Sequence, residues 1–240
     1  MENEVNLIIE WIKNYVKNSG AKGVVIGNSG GKDSAVSIGL CAKALGKDNV
    51  LAVAMPCSSI SEDLEDAFLV ANTFDVPMVT IDLTNVYEGL KTASGNAIGQ
   101  DLTTNSLINI RPRLRMTTLY GIAQTYGYLV CGTGNACEQF VGYTTKWGDN
   151  ASDFNPLAEF TVEEVLEIGK IIGVPKKIIN KAPNDGLGSG SDEEKLGVTY
   201  EQIAKYMKEG TTGNCDIDLK IQKLHKASEH KRMSIPVYRR

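Results

Sequence analysis

No apolar run in the 240-residue chain approaches the roughly 20 residues that a bilayer-spanning helix needs, which weighs against a membrane-embedded function. The opening stretch, MENEVNLIIEWIKNYVKNSG, is acidic and alternates apolar with polar residues. It lacks the basic start and apolar centre of a secretory signal. Paired cysteine motifs are missing as well. Cys41, Cys57, Cys131, Cys137 and Cys215 form no CxxC pair and are odd in number. That spacing fits neither a zinc site nor a disulfide framework and points to a reduced, cytoplasmic setting. Positive charge is not in excess: 25 Lys and Arg stand against 29 Asp and Glu, a net charge of -4. A dedicated nucleic-acid binder would rest on a basic surface, so no nucleic-acid partner is expected.

What is present is ordinary globular material, 42% hydrophobic and 22% charged, expected to form a single domain over residues 1–240. Val5, Ile8, Ile9, Trp11, Ile12, Tyr15 and Val16 recur at helical spacing and predict an amphipathic helix over 4–18. Buried strands are expected at GVVIG (23–27), VLAVAMP (50–56), PMVTIDL (77–83) and YLVCG (128–132). Helices are expected at 33–46, at 61–74 with Leu64, Ala67, Phe68 and Ala71 facing inward, and over 106–126 beyond Pro112. Strands alternating with helices imply an α/β fold with a doubly wound, mostly parallel sheet. Three further helices (161–173, 199–208, 216–229) predict a helical C-terminal extension, and NDGLGSGSDEE (184–194) is the longest expected loop.

Between the first strand and its helix lies Gly27-Asn28-Ser29-Gly30-Gly31-Lys32-Asp33-Ser34. Glycines there let backbone approach a ligand closely, and free N–H groups at a helix start favour phosphate. A Walker loop would need Gly at the position of Ile26 and Ser or Thr at that of Asp33. What stands instead, Ser-Gly-Gly-x-Asp-Ser after a strand, resembles the pyrophosphate-binding loop of the N-type ATP pyrophosphatases. Ser29 and Ser34 offer hydroxyls, and Asp33 offers a hard oxygen for Mg²⁺. A second Gly-rich turn, Gly132-Thr133-Gly134-Asn135, follows the fourth strand, where open α/β sheets bind ligands. Arg111 and Arg115 would share one face of their helix with Arg113 pointing elsewhere, and an Arg fork suits a pyrophosphate.

NIRPRLRM (109–116), CGTGNACE (131–138), VGYTTKWGD (141–149), DFNPL (153–157), SDEEKLGVTY (191–200) and EHKR (229–232) together resemble the NAD⁺ synthetase family in order and spacing. The resemblance runs from about residue 23 to 232. It implies an adenine-nucleotide α-hydrolase-like fold and a ligase that joins ammonia to deamido-NAD⁺, with ATP as co-substrate and Mg²⁺ as cofactor. By the same resemblance Asp33 and Glu138 hold Mg²⁺, while Thr133 and Asn184 join the loop in contacting ATP. Arg113, Lys146, Asp153, His230 and Lys231 match contacts to deamido-NAD⁺. A homodimer is implied, with the helices at 4–18 and 106–126 as candidate interface elements. No glutaminase domain with a catalytic nucleophile is read. Cys137 has no His or Asn constellation around it and is expected to pack. Trp11 and Trp147 are taken as packing or interface residues.

The chain departs from the family pattern at two positions. The family usually carries Lys where Val162 stands, and Ser or Thr where Asn184 stands. Lys32 is expected to supply the charge that Val162 withholds. Three alternatives stay open: a diverged paralogue adenylating another carboxylate, a tRNA-modifying pyrophosphatase, and a non-catalytic ATP-binding protein.

Overall fold

The computed structural model describes residues 1–57, 61–181 and 191–239. Four short strands, β1 (Val24–Gly27), β2 (Val50–Ala54), β3 (Met78–Thr80) and β4 (Leu129–Cys131), pair in parallel in the order β3-β2-β1-β4. Phe154 adds a single parallel bridge beside Cys131. Alternate residues serve opposite faces. Val24, Ile26, Val50, Ala52 and Cys131 enter one core, whereas Val25, Leu51, Val53 and Val130 enter the other. This two-sided burial is why β1, β2 and β4 read as continuous apolar runs, whereas β3, expected to be buried, is a three-residue edge strand with Val79 exposed.

The helices are α1 (Glu2–Ser19), α2 (Lys32–Leu45), α3 (Ser61–Phe74), α4 (Thr84–Ile98), α5 (Thr104–Tyr126), α6 (Ala136–Val141), α7 (Val162–Ile172), α8 (Lys176–Ile179), α9 (Asp192–Leu196), α10 (Tyr200–Glu209) and α11 (Cys215–Ala227). Helices α1, α2 and α7 bury Val5, Ile12, Val36, Ile38, Val165 and Ile168 against one face of the sheet, and α4 and α5 cover the other. The expected doubly wound architecture is present. The expected C-terminal extension divides: α7 belongs to the sheet's own layer, whereas α6 and α9–α11 build a third cluster around Cys137, Leu196, Ile203 and Ile221. Among the described residues no helix is long and apolar enough to cross a membrane.

Two helices differ from expectation for physical reasons. Helix α4 was not predicted because its only buried side chain is Tyr87, so it carries no apolar stripe. Helix α5 begins at Thr104, its Thr103 cap accepting from the Ser106 amide, and runs through Pro112 instead of starting beyond it. A proline inside a helix leaves the carbonyl four residues back without its bond, here that of Ile108. Both Ile108 and Pro112 line the polar cavity described below.

Helix α3 is rotated relative to the expected inward face. Ala67, Val70 and Ala71 are buried, but Phe68 is 48% exposed and Asp66 is wholly buried. The buried acid explains the rotation. Its carboxylate meets Lys177 Nζ at 2.6 Å and Lys181 Nζ at 2.6 Å, and Lys181 also reaches Asp63 at 2.9 Å. This clasp ties α3 to α8 and to Lys181 just beyond it, and α3 meets the β1–α2 turn separately. Asn28 Nδ2 donates to Ala67 O at 2.9 Å, and Gly30, at φ +72°, has no room for a Cβ, which would lie 2.5 Å from Asp63 O.

Burial pushes the Asp66 carboxyl up, but the Lys177 and Lys181 ammonium groups outweigh it and hold it below the usual carboxylate range. A depressed carboxylate contributes stability above its unfolded pKa of about 3.9. That stability is lost as pH falls through the lower folded value. Asp66→Asn is therefore expected to cost about 2 kcal/mol or more at neutral pH. Thermal melts from pH 7 down to 2 should show the gap between variant and wild type closing in acid.

Candidate functional site

The sheet order places β1 and β4 side by side, although most of the first half of the chain separates them. Chain direction away from β1 reverses there, so the loops after β1 and β4 part and leave a crevice at the carboxyl ends of the strands. Two cavities fill it. The apolar one, of about 220 Å³, is walled by Gly27, Val53, Met55, Leu119, Val130 and Gly132 among others. The polar one, of about 430 Å³, is lined by Ser29, Lys32, Asp33, Ser34, Glu138 and Lys231 among others. Ser29, Thr133, Arg115 and Asp149 line both.

The β1–α2 turn is built to present donors. Gly30 N donates to Asn28 Oδ1 (3.2 Å), Gly31 N to Ser29 Oγ (3.2 Å), and the Ser29 and Ser34 hydroxyls stand 3.2 Å apart. Helix α2 starts at Gly31 without a side-chain cap. By contrast α6, α7, α9 and α10 are each closed by a capping box. The first amides of α2 are thus open toward the polar cavity, with the positive end of a 14-residue helix behind them.

Asp33 and Glu138 meet across this opening through one residue. Asn135 Nδ2 donates to Asp33 Oδ1 at 3.2 Å, while the Asn135 amide donates to Glu138 Oε2 at 3.0 Å as half of the α6 capping box. Burial pushes the Glu138 carboxyl well up, and the nearby Asp33 charge adds to it; the Asn135 amide and Lys32 oppose both. Two hard carboxylates crowded at a phosphate-ready turn form a donor set that suits Mg²⁺, whose remaining positions phosphate and water would fill. Among the described residues no third acid, Cys or His completes a metal cage. Lys32 is 8% exposed, with Nζ 3.7 Å from Asp33 Oδ2.

The structure brings Gly27, Asn28, Ser29, Gly31, Lys32, Asp33, Ser34, Thr133, Glu138 and Lys231 to the cavity walls, with Gly30 bracing the turn behind. Lys231 Nζ donates to Gly142 O at 2.7 Å and Thr144 O at 2.5 Å. Arg113, Lys146 and His230 form a chain outside the walls. Arg113 Nε donates to Lys146 O (3.3 Å), and Lys146 Nζ donates to His230 O (2.6 Å). Asp153 stands apart: it accepts from the Val130 amide at 2.7 Å and from Tyr120 at 3.2 Å, beside the Trp11, Tyr15 and Phe154 rings. Asn184 and the expected loop as far as residue 190 lie outside the described residues.

Val162, at the start of α7, is 8% exposed, packs in the third cluster and lines neither cavity. Cys137 is fully buried, and burial pushes its thiol up to about 11, in keeping with a packing role. Trp11 and Trp147 are 45% and 52% exposed, which removes them from the core. Sequence reasoning missed Asp149 and Lys181 as cavity residues, and had Arg115 only as a helix-face partner of Arg111 suited to a pyrophosphate. The i, i+4 spacing of Arg111 and Arg115 was the one available signal, since Asp149 and Lys181 reach the site only through tertiary packing.

The NAD synthase family model matches residues 4–235. The NH3-dependent NAD⁺ synthetase of Carboxydothermus hydrogenoformans is 38% identical over 96% of this chain and 95% of its own length. Among solved structures, the NMN synthetase of Francisella tularensis superposes with a TM-score of 0.92 at 35% identity, covering 99% of this chain and 98% of the other. The NH3-dependent NAD synthetase of Campylobacter jejuni superposes with a TM-score of 0.82 at 28% identity, covering 99% of each chain. The uncapped α2 turn, the facing Asp33 and Glu138, and these full-length likenesses agree: the chain belongs to the NAD synthase family.

Proposed function

We propose that the chain is a ligase that uses ATP to adenylate the nicotinate carboxyl of deamido-NAD⁺, then transfers the acyl group to ammonia, releasing AMP and pyrophosphate. The observation that carries this reading is the convergence of Asp33 and Glu138 beside the open amides of α2. Amides and hydroxyls of residues 28–34 receive the β and γ phosphates, Thr133 contacts the nucleotide where the cavities join, and Asn184 adds an ATP contact. The apolar cavity suits the adenine ring. Mg²⁺ on Asp33 and Glu138 would neutralise phosphate charge and orient the leaving group.

A carboxylate oxygen of the acceptor attacks the α phosphorus as the bond to pyrophosphate breaks. Ammonia then attacks the acyl carbon, AMP leaves, and the amide nitrogen loses a proton to solvent. Positioning of the two reactants accounts for most of the acceleration, which fits a site without a protein nucleophile. Arg113, Lys146, His230 and Lys231 hold the acceptor along the cavity rim. Asp153 acts at a subunit boundary, which exposed Leu7, Trp11 and Tyr15 on α1 support. The near-complete coverage of an NH3-dependent relative supports free ammonia as the nitrogen source. Buried cysteines outside any disulfide among the described residues, at Cys41, Cys131 and Cys137, support a cytoplasmic setting.

A second acceptor, nicotinate mononucleotide, is favoured by the close superposition on the Francisella tularensis NMN synthetase. Both acceptors carry the same carboxyl, so one assay separates them. Pyrophosphate release from ATP, Mg²⁺ and ammonium is measured with each acceptor in turn, alongside the amidated product. The acceptor with the higher kcat/KM is the substrate. Release with neither sinks the reaction. Sedimentation should return twice the monomer mass.

Lys32 supplies the cation that Val162 does not. Its ammonium already faces the carboxylates at the mouth of the phosphate turn. Lys32→Ala is expected to raise KM for ATP or lower kcat by about a hundredfold. Unchanged kinetics would remove Lys32 from the site.

A further inference from the structure

Helix α6 has six residues, too few to hold its shape without support from packing. Yet Asn135 stands at its start and Glu138 in its first turn. Its opening end is fixed by the capping box, by Asn135 on Asp33, and by the Ala136 amide on Phe160 O at 2.9 Å. Its closing end is fixed by side chains from the end of α11 and the turn that follows. His225 Nδ1 lies 2.7 Å from Phe140 O, and the His225 ring stacks on that of Phe140. Lys231 takes Gly142 O and Thr144 O.

Arg232 reaches furthest. Its Nη1 donates to Gln139 O and Phe140 O, each at 3.1 Å, and to Ser228 Oγ at 2.8 Å. Its Nη2 donates to His225 O at 2.5 Å. One planar guanidinium therefore spans the closing carbonyls of two helices, α6 and α11. A cation is favourable at each, because the last carbonyls form the negative end of a helix. The two segments also touch directly: a Cβ on Gly142, which ends α6 at φ +66°, would lie 2.0 Å from Ser228 Cβ.

Against this support stands the charge of Asp33, which acts on the Glu138 carboxylate and repels it. Six residues offer little of their own to resist that push. Release of the closing end would let α6 drift from α2 and spread the two carboxylates. We infer that Arg232 is a positioning residue for Mg²⁺, clamping the closing end of α6 so that Glu138 stays beside Asp33. This rests on the proposed metal role of the two carboxylates, and it gives Arg232 no contact with either reactant.

Calorimetric titration of the whole chain with ATP, with and without Mg²⁺ and with no acceptor present, tests the clamp. Arg232 is exposed, so replacing it opens no hole in the core. Met keeps the stem and removes the fork, whereas Lys keeps the charge on a single nitrogen. In wild type ATP binds more tightly with Mg²⁺, and Glu138→Gln removes most of that gain. Arg232→Met is expected to cut the gain about tenfold and to leave metal-free ATP binding unchanged. Arg232→Lys recovers part of it, and carries the comparison should melting curves show Arg232→Met unfolded. In the Glu138→Gln background Arg232→Met costs nothing further, since its effect passes through Glu138. Three results overturn the clamp and leave the metal pair standing: an undiminished gain in a folded Arg232→Met, an equal loss with and without Glu138, or an equal loss of metal-free ATP binding. No Mg²⁺-dependent gain in wild type, or one that survives Glu138→Gln, rejects the metal role and the clamp with it.

Discussion

One side chain joins the two halves of the site. Asn135 caps α6, and in the same position its amide nitrogen reaches Asp33, 102 residues earlier in the chain. The capping oxygen satisfies an amide that every helix start leaves open. The nitrogen then spans the gap between the β1 and β4 loops at the point where chain direction reverses. Because Glu138 is the capping-box partner of Asn135, its carboxylate is set by the geometry that starts the helix. Separation of the two carboxylates is thereby tied to the pairing of β1 with β4. Replacing Asn135 would loosen a helix start and a ligand pair together.

Around this junction the chain tolerates electrostatic cost. Glu138 is held beside Asp33, Arg115 beside Arg111, and the early amides of α2 have no cap. Elsewhere the same fold satisfies its charges with care, as in the Asp66 clasp with its two lysines. The contrast is local and chemical. Two acids crowd at the start of α2 and α6, and Arg115 lies on the wall shared by both cavities, so the unsatisfied charge gathers in one crevice. Close to the clasp, Asp63 O approaches Gly30 so tightly that only glycine fits in the turn.

Legibility in the sequence followed the range of the interactions. Strands β1, β2 and β4 announced themselves because two-sided burial writes an unbroken apolar run. The phosphate turn was readable because its glycines and hydroxyls are contiguous, and Glu138 was readable only through resemblance. Helix α4 escaped because one buried residue, Tyr87, makes no periodic stripe. The inward placement of Asp66 contradicts the hydrophobic rule that put Phe68 inside. Only the lysines at 177 and 181, more than a hundred residues away, make that burial tolerable, and no local pattern encodes them. Asp149 is a similar case, since its place on the cavity wall depends on a turn that folds back from β4.

The Val162 position shows how packing and catalysis compete for one residue. It opens α7, directly after the Thr161 cap, and its side chain closes the third cluster beside Cys137 and Leu196. A lysine there would have to carry its stem along that apolar surface to bring its charge out, as long cationic side chains do. Valine instead fills the space and adds to the core that anchors α6, on which Glu138 stands. Lys32, two residues after Gly30, is already buried beside Asp33 and lines the polar cavity. In the proposed reaction its charge holds the triphosphate close to the two carboxylates, while Thr133 and Arg115 stand where the two cavities join.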